Sequence, residues 1–274
     1  MKATFSFGRN WRDYVEKAAD PAALAEAEAS LRSFGVDLAG KKLLDIGCGS
    51  GLFSLAALRL RAAEVRSFDA DPYSVEAARA LRAKLGVGEK NWEIGPGSVL
   101  DPAFMAPLKG RYDVVYSWGV LHHTGDMRSA IINAAGTVTP GGTLIIAIYN
   151  RAPGSPFWKR VKELYNRRPG LQPFITAAHL ASFGLYSLLL GMAGRKKNSS
   201  DRGMNIYHDA VDWLGGWPYE YASHEEIVAM VEPLGFRLER APVKLPSADA
   251  GGFLSSLRLS NTGCNEFVFR KTPA

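Results

Sequence analysis

Between residues 41 and 150 short apolar runs alternate with longer amphipathic segments. KKLLDI (41–46), AEVRSFD (63–69), NWEIG (91–95), YDVVYS (112–117) and TLIIAIY (143–149) read as strands. The last is apolar throughout, as suits a strand buried on both faces. LFSLAALRLRA (52–62), Pro72 to Leu85, and about Asp126 to Val138 have helical spacing, with Pro72 at an allowed first-turn position. TPGG (139–142) predicts a turn before the fifth strand. Strands separated by helices of this length predict right-handed βαβ units, hence an α/β, doubly wound, mostly parallel sheet of Rossmann type.

The flanks predict the rest of the organisation. PAALAEAEASLRSF (21–34) reads as a helix, so 1–40 is expected to form an N-terminal helical cap on a core at 41–150. From 151 to 222 the alternation stops, which predicts a helical insertion after the fifth strand, placed as a substrate lid. SHEEIVAMVEPLGF (223–236) restores a helix, with a Ser cap and two Glu in its first turn. FRLERAPVKL (236–245) and NEFVFRK (265–271) then read as closing strands, so 223–274 returns to the core.

Charge changes this picture in one place. Of a net +6, residues 151–202 carry ten Lys and Arg against two acids, a local +8 that leaves −2 for the rest. A basic segment on a near-neutral body reads either as solvated helix faces or as a docking surface for something anionic. Inside it, GLQPFITAAHLASFGLYSLLLGMAG (170–194) contains no charged residue. That stretch leaves three readings: a buried or substrate-covering helix, an interfacial membrane helix giving peripheral contact, or a span. Two cysteines, Cys48 and Cys264, form no disulfide framework, and the N-terminus has no basic-apolar-small leader; both point to the cytoplasm.

The most informative stretch is LLDIGCGSG (43–51), where Asp45 precedes Gly47, Gly49 and Gly51 at a strand-to-helix turn. Glycines there let backbone N–H groups approach a ligand closely. The spacing D-x-G-x-G-x-G departs from the dinucleotide fingerprint, and a carboxylate beside it opposes a pyrophosphate. It suits a cationic ligand such as S-adenosylmethionine, with Asp69 at the end of the second strand placed to accept from ribose hydroxyls. Cys48, inside the loop, reads as a small buried wall of that site rather than a nucleophile.

Taken with FDADPYSVEAAR, GSVLD (97–101) and YDVVYSWGVLHHTGD (112–126), this loop resembles the class I S-adenosylmethionine-dependent methyltransferases. The termini and RGMNIYHDAVDWLGG are similar to a bacterial branch loosely related to the ubiquinone and small-molecule O-methyltransferases. The resemblance covers about 40–150 by motif and 223–271 by topology, and implies a Rossmann-like methyltransferase sheet with an antiparallel closing strand. It implies that Gly47 and Gly49 line the methionine moiety, and that Asp45 positions its amino group. Asp69, with Ala70 beside it, would bind the ribose; Ser98 and Val99 would flank the adenine; Ser117 and Trp118 would face the transferred methyl. FSFGRNWRDY (5–14) would cap the cofactor through Asn10, Trp11 or Tyr14, or else serve only core packing; S-adenosylhomocysteine would be the product.

Methyl transfer from a sulfonium asks the protein to align the nucleophile and, for a hydroxyl, to remove a proton. No His or Cys spacing suggests a metal. Candidate bases are His122, His123 and His208, with Asp209 or Asp212 orienting. His122-His123 follows the fourth strand, at the sheet edge where open α/β folds bind ligands. In RGMNIYHDAVDWLGGWPYE (202–220), His208 and Asp212 are four residues apart on a helical face, and Trp213 and Trp217 supply flat surfaces. The segment is expected to be a substrate wall with Tyr207, and Tyr149-Asn150 a secondary site; a hydrogen-bonded connector is the alternative. The function expected is O-methylation of a small anionic or lipid-linked acceptor, with a histidine assisting deprotonation. The rivals are RNA or protein methylation gripped by the basic insertion, and a non-catalytic cofactor-binding module.

Overall fold

The computed structural model describes residues 20–181, 206–246 and 263–273, without the side chains of 206–209 and 212. Asn10, Trp11, Tyr14 and the part of the uncharged stretch from 182 onward lie outside the described residues, as do the side chains of Tyr207, His208, Asp209 and Asp212. Helix α1 (Pro21–Ser33) starts where the Asp20 carboxylate accepts from the Ala22 N–H, with a proline opening the helix, and it buries Leu24, Ala27 and Leu31. Strand β1 (Lys42–Ile46), helix α2 (Leu52–Arg59), strand β2 (Glu64–Asp69), helix α3 (Pro72–Lys84) and strand β3 (Trp92–Pro96) follow in the expected order. A short helix α4 (Pro102–Met105), strand β4 (Tyr112–Trp118), helix α5 (Met127–Gly136) and strand β5 (Val138–Tyr149) complete the first half.

Beyond them come α6 (Ser155–Arg167), a second helical stretch α7 at 172–181, α8 (Ile206–Gly215) and α9 (His224–Val231). Strands β6 (Phe236–Arg240) and β7 (Cys264–Lys271) end the chain. One sheet of seven strands has the order β3-β2-β1-β4-β5-β7-β6. β3 through β5 pair in parallel, and β7 runs antiparallel between β5 and β6. Successive residues of β1 and β4 serve opposite faces: Leu44, Ile46 and Val115 join one core cluster, Leu43, Val114 and Tyr116 the other. Such two-sided burial is why these strands read as continuous apolar runs.

The TPGG turn expected before the fifth strand is instead a bulge within β5. Tyr112 pairs with Val138 and Val114 with Thr143, so the extra residues loop out of register while Pro140 and Gly141 stay exposed. Helix α2 is shorter than expected because Leu60 leaves helical geometry and Arg61 takes a positive φ of 69°. The insertion after β5 leaves and returns at one place. Asn150 and Ala222 form a parallel bridge, with Arg151 N–H donating to the Ala222 carbonyl and Ala222 N–H to the Tyr149 carbonyl, each at 3.0 Å. Whatever the insertion carries is thereby anchored at the carboxyl end of β5.

Candidate active site at the carboxyl edge of the sheet

Two groups of residues meet this edge. The first is the β1–α2 loop. Gly47, Gly49 and Gly51 all have positive φ (75°, 53° and 80°), the region that favours glycine. A Cβ on Gly47 would come within 2.4 Å of Val120, and one on Gly51 within 2.7 Å of Trp92. Asp69, at the end of β2, shapes the loop: its carboxylate accepts from the Gly49 N–H at 3.0 Å and the Asp71 N–H at 2.9 Å. Asp45 is buried and accepts from Ser54 Oγ at 2.5 Å; Ser54 Oγ meets Ser67 Oγ at 2.6 Å, and Trp92 Nε1 donates to that oxygen at 2.8 Å. Burial pushes the Asp45 carboxyl up to about 7, and the neighbouring Asp69 adds to the rise against the Ser54 hydrogen bond. Burial also raises Asp69, against the backbone N–H groups that donate to it.

The second group gathers where β4 and β5 end. His122 is fully buried; its ring lies 4.4 Å from that of His123 and 4.2 Å from that of Tyr149. Tyr149 N–H donates to His122 Nδ1 at 3.4 Å, and His122 Nε2 has no hydrogen-bond partner among the described residues. His123 Nδ1 donates to the Pro218 carbonyl at 2.7 Å, so in the neutral ring Nε2 carries the lone pair. The 213–220 segment is stitched to this turn a second time, by Glu220 N–H donating to the His122 carbonyl at 3.0 Å. Lys162 of α6 reaches in from the insertion, fully buried, its Nζ donating to the Trp213 carbonyl. Behind it Trp213 packs edge-on to Trp158 at 4.6 Å and stacks on His179 at 5.0 Å, joining α6, α7 and α8. Burial holds His123 down to about 3 and His122 well below its ordinary range, with positive Lys162 adding to both. Burial also lowers the Lys162 ammonium to about 7, partly countered by Cys264.

A loop built for backbone contact, the buried Asp45 carboxyl with half-buried Asp69 beside it, and a ring-lined edge lie together at this end of the sheet. A family model described as "Methyltransferase domain" matches residues 12–186, most of the chain. The chain belongs to the methyltransferase-domain family. The ubiquinone biosynthesis O-methyltransferase of Azotobacter vinelandii is 36% identical over 118 residues, which cover 43% of this chain and 48% of that protein. The enzyme of the same name from Xanthomonas euvesicatoria is 32% identical over 160 residues, covering 55% and 64%. The chain thus spans about half to two thirds of the length of these curated relatives. Among solved structures, the magnesium protoporphyrin IX methyltransferase of Synechocystis with bound S-adenosylhomocysteine superposes with a TM-score of 0.51. It has 16% identity and covers 91% of this chain and 82% of its own, a likeness of fold.

S-adenosylmethionine is the cofactor of such a methyltransferase, and the residues present fit it. Asp45 is a buried carboxyl whose proton affinity the neighbouring half-buried Asp69 raises, an arrangement a ligand ammonium relieves. Asp69 would hold the ribose, the Gly47–Gly49 backbone the amino-acid end, and Ser98 and Val99 the base. Cys48 is buried in that loop with burial raising its thiol well above the ordinary value, which suits a wall and not a nucleophile.

The structure places other expected residues differently. Ser117 is fully buried, its Oγ donating to the Ile46 carbonyl at 3.0 Å, and Trp118 Nε1 donates to Glu266 of β7 at 2.8 Å. Both tie β4 to its neighbours. Asn150 is fully buried: its amide donates to the Pro246 carbonyl and accepts from Asn265, so it anchors the chain before β7 instead of offering an open amide. Trp217 is half-buried next to Pro218, while Trp213 stands in the aromatic cluster. Sequence reasoning missed Lys162, Trp158, His179 and Tyr219. The pattern held one signal: Ser155, Lys162 and Tyr165 share the buried face of α6, so a lysine sits in the helix's apolar register.

Proposed function

We propose that this methyltransferase-domain protein moves the methyl group of S-adenosylmethionine to an oxygen of a small planar molecule bound against His122, His123, Tyr149 and Trp213. The carrying observation is the enclosed cluster of rings at the carboxyl edge of β4 and β5, with fully buried His122 at its centre. A small flat acceptor matches such walls better than a duplex or a folded protein does. Partial likeness to enzymes named for O-methylation in ubiquinone biosynthesis supports an oxygen acceptor. When bound, the cofactor supplies an electrophilic methyl on a sulfonium. The protein's part is to exclude water, hold the acceptor oxygen beside His122 and His123 in line with the methyl, and help its proton leave. His208 and Asp212 belong to α8, the helix that carries Trp213, and stay candidates for the base and its orienting partner.

The acceptor is read as anionic or lipid-linked. On the outer faces of α6 and α7, and at Leu171 between them, Phe157, Leu164, Leu171 and Phe174 are exposed, Phe174 at 73%, among the exposed Lys159, Arg160, Arg167 and Arg168. Apolar tips among cations suit peripheral contact with an anionic membrane. No helix among the described residues is long and apolar enough to cross a membrane. The same cations support a second reading, in which the acceptor is RNA or protein held on the basic face. Transfer of label from methyl-labelled S-adenosylmethionine into a bacterial extract, fractionated into lipid, small polar and macromolecular pools, separates them. Label in the first two pools is the expected result; label confined to macromolecules would overturn the small-molecule assignment.

A further inference from the structure

Lys162 is a buried cation out of keeping with its surroundings. Its Nζ stands 4.1 Å from the ring centre of Trp213, 4.8 Å from Tyr219 and 5.3 Å from Tyr149. Its one hydrogen-bond acceptor among the described residues is the Trp213 carbonyl, and no described carboxylate pairs with it. Aromatic faces offset part of the cost of burying an ammonium, but they leave its other donors without oxygen partners. The groups facing it are His122 and His123 from the turn after β4, Tyr149 from β5, Tyr219 from the connector, Cys264 from β7 and the backbone of α8. Gly216 brings two of them together: a Cβ there would lie 3.1 Å from His123 Nε2 and 3.4 Å from Lys162 Nζ. Histidine and lysine therefore border one point at the sheet edge, separated by the bare backbone of a glycine.

A lysine that merely fastened α6 to α8 would do so no better than methionine, which fills the same space without desolvating a charge. Resting on the methyl-transfer reading above, we propose that Lys162 removes the proton from the acceptor hydroxyl and then acts as counter-ion to the oxygen anion. The amine lone pair takes the proton, and the O–H bonding pair stays on oxygen. That oxygen forms the bond to the methyl carbon as the carbon–sulfur pair returns to sulfur, and the ammonium gives its proton to solvent on product release. The histidines, which burial makes weak bases, stay neutral and wall the oxygen without taking its proton. An amine whose ammonium ionises near neutrality exchanges a proton on even terms only with an acidic hydroxyl. A phenol or enol, flat as well as more acidic than an alkyl alcohol, is the acceptor class that suits both the ring-lined walls and an amine base.

The test uses 4-nitrophenol, whose anion is visible by its absorbance, with protein saturated in S-adenosylhomocysteine. Binding beside Lys162 should raise the ratio of ionised to neutral dye at pH 6 about tenfold over that of free dye, one unit of displaced ionisation. Lys162→Met should abolish that change with S-adenosylhomocysteine affinity held within about twofold, and Lys162→Arg, which keeps the cation, should retain it. Unshifted ionisation in the native protein, an equal shift in Lys162→Met, or no dye bound to protein that binds S-adenosylhomocysteine would overturn the assignment. Should Lys162→Met not fold, the native protein and Lys162→Arg still decide it. Loss of S-adenosylhomocysteine binding by the native protein would instead remove the methyl-transfer reading itself.

Discussion

The two halves of the site are built by opposite means. The cofactor half comes from contiguous chain: one loop at 47–51, one carboxylate at each of two neighbouring strand ends, and backbone N–H groups exposed by glycine. The acceptor half is assembled from the turn after β4, the end of β5, two helices of the insertion and the connector at 213–220, and it works with side-chain rings and a buried amine. A ligand common to a whole fold can be met by backbone, which changes slowly with sequence. A ligand particular to one protein is met by side chains, which change freely. Sequence motifs therefore report the first half, and of the second only single candidates such as His122, His123 and Trp213, not how they assemble.

If the division is real, single changes should separate the halves. The largest effect is expected from Asp69→Ala, which removes the ribose carboxylate and the acceptor of the Gly49 and Asp71 N–H groups. S-adenosylhomocysteine affinity measured by calorimetry should fall about 100-fold or more, as loss of two charge-assisted hydrogen bonds implies. His123→Ala comes next and acts on the other half. Turnover on the acceptor found by labelling should drop about 100-fold, while cofactor affinity stays nearly constant; equal losses would merge the two halves into one.

A smaller effect follows from pH. The Asp45 carboxyl, at about 7 in the folded protein against an ordinary 3.8, keeps its proton through the interval in which the unfolded chain loses it. Its contribution to stability therefore falls as pH climbs from about 4 to 7. A bound ammonium reverses the preference, so S-adenosylhomocysteine should bind about tenfold tighter at pH 8 than at pH 6. A flat profile, or one unchanged in Asp45→Asn, would remove Asp45 from the amino-group site. The smallest effect is expected on the exposed Arg167–Glu163 pair at 2.8 Å in α6. Arg167→Ala should cost the fold no more than about 0.5 kcal/mol by thermal melting, and a larger loss would mean the insertion's outer face is more than solvated helix.

The fold was legible because its signals are local. Each strand from Lys42 to Tyr149 is a short apolar run, and Asp20, Asp71, Asp126 and Ser223 each mark a helix start by accepting from a backbone N–H in the first turn. Pro140 and Gly141 misled because an exposed bulge within a strand uses the same residues as a turn between elements. In the site, the glycines, Asp45, Asp69 and the adjacent histidines stood out by motif and place. Ser117 and Trp118 were placed at the right strand end, but the motif does not say that their polar atoms are taken by Ile46 and Glu266. Lys162 was hidden because pairwise distance along the chain says nothing of the 51 residues that separate it from the Trp213 carbonyl.

The bridge between Asn150 and Ala222 has a consequence for how such a protein changes over time. Because the two ends of the intervening chain are held side by side, the sheet is indifferent to how much chain lies between them, and the entropy of closing that loop grows only slowly with its length. The segment is then free to vary in length while the sheet stays as it is. A graft of residues 151–221 from another protein onto the same bridge would carry a new acceptor preference with it and leave the methyl donor's binding as it was.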